Sequence, residues 1–257
     1  MPKKFIEDFV ILENKRQTSE FVILTLQHPT NLPKIYPGQF AEIKVEGSPN
    51  TFLRRPLSIH DVDYQNNTIK LLVQEVGEGT RRLAAMKPGE SLNLIYPLGT
   101  YYSLPSSNKV LLVGGGCGVA PLLFLGRFLH ENGIKPRFLI GAKSSAQLVE
   151  LDEYRKLGEV FITTEDGSAG TKGFVIHHPI MKTYKPDFDW IYTCGPEAMM
   201  KVIAKYALKR NLNCEVSLEN MMACGIGACL CCITPTIEGN KCTCTDGPVF
   251  NSKYLKW

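Results

Sequence analysis

The sequence predicts a multi-domain β plus α/β protein: an antiparallel β-barrel, a parallel-sheet α/β domain, and a small cysteine-rich C-terminal module. Three observations predict it. Residues 1–103 hold short β-branched and aromatic runs separated by Pro, Gly and Asn, the pattern of a small barrel. From about Ser103 the rhythm becomes strand–helix alternation, which belongs to a parallel sheet. Six of the nine cysteines then fall between positions 224 and 244. The expected boundaries are 1–103, 104–215 and 216–257.

Phe5–Leu12, Phe21–Leu26, Phe40–Val45, Ile69–Val76 and Leu92–Tyr96 read as the barrel strands. A helix over Thr80–Met86 follows the glycines of Val76–Thr80. Val110–Val113 is a buried-type strand, followed by glycines and an apolar helix reaching Leu129. Arg137–Ile140, Val160–Thr164 and Trp190–Thr193 continue the alternation. Pro196 then suits the first position of a helix whose apolar set is Met199, Val202, Ile203, Tyr206 and Ala207. Lys205, Lys209 and Arg210 close it at the end that its dipole favours for cations.

At 257 residues the chain has room for two modest cores and an appendage, and 44% hydrophobic with 21% charged residues describes a globular protein. A net charge of +4 without a basic run gives no footing for nucleic acid. Met1-Pro2-Lys3-Lys4-Phe5 lacks a signal-peptide apolar region, and the apolar run Val110–Gly126 is broken by five glycines or prolines. No membrane span is expected. The clustered cysteines suit metal binding in a reducing compartment, so a cytoplasmic protein is expected.

Cys224, Cys229 and Cys232 have the C-x4-C-x2-C spacing of plant-type 2Fe–2S ligands, with Cys242 or Cys244 as the fourth. Gly225 and Gly227 permit the positive φ angles that wrapping a cluster demands. The alternative is a four-cysteine zinc site in a nucleotide-binding protein without turnover. Cys229-x2-Cys232 supplies one zinc half-site, but Cys242-x-Cys244 does not repeat it.

Gly114–Leu122 (GGGCGVAPL) joins a strand to a helix, where backbone N–H groups receive a pyrophosphate. The strict G-x-G-x-x-G fingerprint fails at Val119 or Pro121, so an ordinary dinucleotide fold is not indicated. Arg54-Arg55 offers an arginine fork for a diphosphate, and Ser58 a hydroxyl for a flavin edge. Gly77, Gly79 and Thr80 add backbone donors ahead of a helix. Cys194-Gly195-Pro196 ends a strand on the ligand-facing rim of the sheet, where a buried structural cysteine is the plainer reading.

Together these residues resemble the ferredoxin–NADP reductase superfamily: Arg55-Pro56-Leu57-Ser58 its R-x-Y-S flavin motif, Gly77–Thr80 its flavin-phosphate turn, Gly114–Leu122 its nicotinamide loop, and Cys194-Gly195-Pro196 its C-G-P motif. Met222–Cys229 with Thr245–Phe250 (TDGPVF) narrows the resemblance to electron-transfer subunits of NAD-linked dihydroorotate dehydrogenases, over essentially the whole chain. The resemblance implies FAD on the barrel, held by Arg55, Pro56, Leu57, Ser58, Gly79 and Thr80. It implies NAD framed by Gly116, Gly118, Cys194, Gly195 and Pro196, and a 2Fe–2S cluster on Cys224, Cys229, Cys232 and Cys244. Leu57 stands where the superfamily has a flavin-stacking tyrosine. No acid–base residue is implied, because the cofactors carry the chemistry. The implied partner is a catalytic, FMN-containing dihydroorotate dehydrogenase subunit, two of each. The same cofactors would also serve a ferredoxin:NADP+ oxidoreductase or sulfhydrogenase type of complex. Lys143 is the one basic residue in the loop Gly141–Ser145, which favours NAD over NADP. Glu219, just ahead of the cysteine loop, reads either as a neighbour of the rings or as a solvated carboxylate.

Overall fold

The barrel closes because alternate residues of each strand are apolar, and where both faces are apolar something else covers the outside. The computed structural model describes residues 3–257; Met1 and Pro2, the start of the N-terminal segment read above, lie outside them. Strands β1 (Phe5–Arg16), β2 (Phe21–Gln27), β3 (Phe40–Ile43), β4 (Arg55–Asp63), β5 (Thr68–Gln74) and β6 (Ser91–Leu98) form a closed antiparallel barrel in the order β1-β2-β5-β4-β3-β6. Helix α1 (Glu78–Ala84) lies between β5 and β6. On β2, Val22, Leu24 and Leu26 fill the barrel while Phe21 and Ile23 join the core of the second domain. On β3, Ala41 and Ile43 point inward and Phe40 packs outward against Cys232 and Cys244.

The second domain follows the same logic in parallel form. Strands β7 (Val110–Gly115), β8 (Arg137–Ala142), β9 (Glu159–Thr164), β10 (Thr171–Lys172), β11 (Trp190–Cys194) and β12 (Asn213–Ser217) alternate with α2 (Ala120–Glu131), α3 (Leu151–Leu157), α4 (Pro179–Lys182) and α5 (Glu197–Lys209). A hairpin of β13 (Ile233–Thr236) and β14 (Gly239–Cys242) follows. Finally β15 (Val249–Asn251) returns antiparallel to β12, completing the sheet order β10-β9-β8-β7-β11-β12-β15. The segment leaving the barrel after β6 meets the β15 end of the sheet through Thr100, whose N–H and hydroxyl donate to the Gly247 and Val249 carbonyls. Each large apolar side chain shared between the domains contributes about 1.5–3 kcal/mol, so barrel and sheet pack as one body rather than across a wet hinge.

Two expectations need correction. Strand β4, absent from the barrel strands expected above, runs through the strand-forming Pro56–Ile59 and on to Asp63, and its proline is tolerated by the pairing. Pro56 pairs with Glu42 of β3, and β5 joins only from Ile59, so that side needs no donor at the proline. The apolar face of α5 is Met200, Ile203, Ala204, Tyr206 and Ala207, while Val202 is exposed and Met199 only half-buried. Pro196 is the residue before the helix rather than its first.

Candidate functional site

Three sites lie around the barrel, and the backbone explains each. Of the two arginines on the way into β4, Arg54 is tied into the wall, donating to the carbonyls of Glu42 and Asn93 and to Asn93 Oδ1. Arg55 donates only to the nearby Leu53 and Arg54 carbonyls, and its Nε stands 3.1 Å from where a Cβ on Gly79 would be. The fold thus brings Arg55 against the Gly77–Thr80 turn, 24 residues away (79 − 55). The Thr80 hydroxyl is already occupied: it accepts from the N–H groups of Val76 and Gly77 and donates to the Gly77 carbonyl. Its role there is to shape the turn, leaving the Gly77 surface open. Leu57 packs on the barrel core, and Ser58 pairs with Phe40.

At the rim of the parallel sheet, a cavity of about 520 Å³ is lined by Gly115, Gly116, Cys117, Pro196, Met199 and Glu219 among others. Met199 and Val202, read from the sequence as core, are cavity wall instead. The chain turns at Gly116 with φ 56°, a left-handed conformation that glycine takes without a Cβ penalty. Gly118 and Gly195 touch backbone to backbone, so the GGGCG loop and the Cys194-Gly195-Pro196 turn are one surface.

Glu219 is exposed as a residue, as the solvated reading has it, while its carboxylate end turns in against two thiols. It stands 3.8 Å from the sulfurs of both Cys117 and Cys194, each thiol donating to Oε1. Burial raises the Glu219 carboxyl above its usual range. Burial first, then Glu219, pushes the Cys117 thiol up to about 12, and burial holds Cys194 well above the ordinary thiol value. Both thiols are therefore protonated donors at neutral pH, not nucleophiles. Cys194 reaches the cavity only through Glu219. Cys117, which the sequence reading passed over as the variable residue of the glycine loop, lines the cavity directly.

The third site is the cysteine loop. Gly225 (φ 67°), Gly227 (φ 84°) and Leu230 (φ 57°) turn the chain so that the N–H groups of Ile226 and Cys229 point at the Cys224 sulfur. Burial alone would raise the Cys224 thiol, but these donors outweigh it and hold it down to about 6. Cys244 N–H points at the Cys232 sulfur, and both cysteines are buried with Phe40 and Leu98 of the barrel. The thiols therefore form two pairs, Cys224 with Cys229 and Cys232 with Cys244. Among the described residues no three His, Cys, Asp or Glu side chains converge as for a single ion. Two pairs fit a two-iron cluster held by four thiolates, two to each iron. Cys231 is exposed, and Cys242 has its N–H bound by Asp246.

Beneath this loop lies Glu42, unremarked in the sequence. It is fully buried on the outer face of β3, neither carboxylate oxygen has a hydrogen-bond partner, and Oε1 stands 3.0 Å from where a Cβ on Gly225 would be. Burial, opposed by Arg54, pushes its carboxyl up to about 7. An orphaned buried acid at the cysteine loop leaves polar capacity for a group seated there.

Comparison with known proteins agrees with this geometry. Residues 219–256 match the family model described as the iron–sulfur cluster binding domain of dihydroorotate dehydrogenase B, and residues 112–205 match the oxidoreductase NAD-binding domain. The dihydroorotate dehydrogenase B (NAD(+)) electron transfer subunit of Caldanaerobacter subterraneus subsp. tengcongensis is 40% identical over 93% of this chain and 94% of that protein. That of Shouchella clausii is 40% identical over 83% of this chain and 84% of that protein. Among solved structures, the NADH-dependent reduced ferredoxin-NADP oxidoreductase superposes with a TM-score of 0.87 at 28% identity, covering 97% of this chain and 90% of that one. Phthalate dioxygenase reductase, 18% identical, shares the fold with a TM-score of 0.65, covering 90% of this chain and 87% of that one.

Proposed function

We propose, for a chain that belongs to the electron transfer subunits of dihydroorotate dehydrogenase B (NAD(+)), how its own residues divide that task. It is a flavin- and iron–sulfur-dependent NAD oxidoreductase subunit of pyrimidine biosynthesis, passing electrons from a catalytic subunit through a 2Fe–2S cluster and FAD to NAD+. When bound, FAD supplies the exchange between hydride and single electrons, and the cluster supplies the one-electron relay. The modules are 1–103 for FAD, 104–215 for NAD and 216–257 for the cluster. Arg55 neutralises the FAD diphosphate while Gly79 and the Thr80-shaped turn offer N–H groups to it, and Pro56, Leu57 and Ser58 line the ring's edge of β4. Gly116, Gly118, Cys194, Gly195 and Pro196 frame the nicotinamide nucleotide. Cys224, Cys229, Cys232 and Cys244 are the iron ligands.

The observation that carries this reading is the seating of the paired thiols on β3, the strand hydrogen-bonded to β4. Cluster loop and flavin strand are then separated by one strand spacing, a wall short enough for electrons. The partner is a catalytic FMN-containing dihydroorotate dehydrogenase subunit, two of each, in the cytoplasm. Free cysteines throughout support that compartment, and among the described residues no helix is long and apolar enough to cross a membrane. Co-purification with the partner followed by dihydroorotate-dependent NAD+ reduction tests the reading; a purified complex inactive with dihydroorotate but active with ferredoxin would replace it.

Two results follow from these roles. Arg55→Ala removes a charge-assisted contact of about 1.5–3 kcal/mol, so FAD affinity should fall roughly 10- to 150-fold, read by flavin loss on gel filtration. Full retention of flavin would move the diphosphate elsewhere. Lys143 is the one basic residue lining the cavity, which Glu165 also lines, so kcat/KM should favour NADH over NADPH by at least about tenfold. Equal constants would contradict it.

A further inference from the structure

We propose that His60 is a positioning residue for hydride transfer, bracing the flavin strand against the nucleotide loop. The inference rests on the reading of the β7–α2 loop as the nucleotide's seat. His60 is two residues beyond Ser58 on β4 and is fully buried. Its Nδ1 lies 2.7 Å from the carbonyl oxygen of Ala120, where the glycine loop becomes α2. Its Nε2 lies 2.6 Å from Oε2 of Glu150, at the start of α3. A carbonyl only accepts, so Nδ1 donates to Ala120, and Nε2 meets the Glu150 carboxylate. Both ends of the ring are therefore fixed, across 60 and 90 residues of sequence.

Three further features of the fold accompany this brace. The β4–β5 register shifts between Ile59 and Asp61, a bulge at His60. Neighbouring strand residues ordinarily point to opposite faces, and the bulge lets His60 and Asp61 both reach the second domain, Asp61 taking a bidentate Arg127 from α2 at 3.0 and 2.9 Å. Glu150 holds a left-handed backbone (φ 48°), uncommon for a residue with a side chain, and its carboxylate goes to His60 instead of capping α3. Tyr154 of α3 donates to the carbonyl of Val119 at 2.8 Å. The carbonyls of Val119 and Ala120 are thus gripped from α3 and from β4, which fixes the direction of the N–H groups of Gly116–Gly118 relative to the flavin strand.

The test uses the purified holoprotein with FAD and cluster loaded. His60→Gln and Glu150→Gln are mixed with NADH and with 4-deuterated NADH in a stopped-flow instrument. The expected result is a limiting flavin-reduction rate about 10- to 100-fold lower, with the affinity for NADH changed less than about threefold and a larger isotope effect, because misplacing reactants by an ångström costs rate rather than binding. Calorimetry of the same variants should split one unfolding transition into two as barrel and sheet uncouple. Wild-type reduction rates and isotope effects in both variants would overturn the proposal, even if their melting temperatures fall, since that is a structural role alone. If His60→Gln does not fold, Glu150→Gln decides by the same readings. Absence of saturable flavin reduction by NADH in the wild-type protein would overturn the nucleotide reading beneath, and this proposal with it.

Discussion

Cys224→Ser should abolish the EPR signal of the reduced cluster and cut dihydroorotate-dependent NAD+ reduction by the reconstituted complex at least about 100-fold, while NADH-dependent dye reduction stays within about threefold. The reason lies in the loop. Cys224 is the thiol best prepared as a ligand: the N–H groups of Ile226 and Cys229 stabilise its thiolate and hold it at about 6. A serine hydroxyl in the same place, with a far higher proton affinity and a harder oxygen, forfeits that preparation. The loss is local because the loop makes few demands on the sheet. The barrel core and the Gly118–Gly195 contact are built from other residues. Dye reduction needs only those parts. Cys242→Ser supplies the control and should keep the signal, since Cys244 is the cysteine paired with Cys232 in the buried cluster. A retained signal in Cys224→Ser, or a lost one in Cys242→Ser, would require a different ligand set.

What the sequence reveals here depends on how local each cause is. The cysteine loop is legible as a cluster motif because Cys224, Cys229, Cys232 and two glycines lie close together, whereas the choice between Cys242 and Cys244 is not. The barrel and the parallel sheet are legible from their rhythms. Arg54 and Arg55 are indistinguishable as neighbours, yet one is bound to Asn93 and the other lies against Gly79, and only the fold decides which. The α5 face was misread because two of its apolar residues, Met199 and Val202, serve a cavity wall, and periodicity cannot tell a core from a binding surface. Thr80 reads in the sequence as a backbone donor ahead of a helix, and only the fold shows that its hydroxyl is spent on shaping the turn. Glu42 and His60 leave no signal: Glu42 is the one polar residue of β3, His60 is one of several on β4, and the meaning of each comes from partners far along the chain.

The largest effect outside the cysteine loop should come from the smallest substitution. Gly118→Ala is expected to lower kcat/KM for NADH at least about 100-fold, a loss of about 2.7 kcal/mol in transition-state stabilisation, with FAD content and the cluster signal unchanged. A Cβ at Gly118 would overlap the Cα and nitrogen of Gly195 and the carbonyl carbon of Cys194. All three are backbone atoms, so no rotamer change relieves the clash. The GGGCG loop and the Cys194–Pro196 turn must separate, and with them the two halves of the nicotinamide frame. Gly116 provides the comparison. Its φ of 56° is left-handed, but a Cβ there meets nothing within 4 Å. Gly116→Ala therefore costs about 1–2 kcal/mol of backbone strain without parting the two turns, and kcat/KM should fall no more than about tenfold. The two glycines look alike in the sequence, two residues apart in one motif. The order of their effects separates a glycine needed for its torsion from one needed for its missing side chain. Steady-state kinetics with NADH and ferricyanide, on protein checked for flavin content, measures both. Equal losses at the two positions, or a Gly118→Ala enzyme with wild-type kcat/KM, would mean that this contact does not frame the nucleotide.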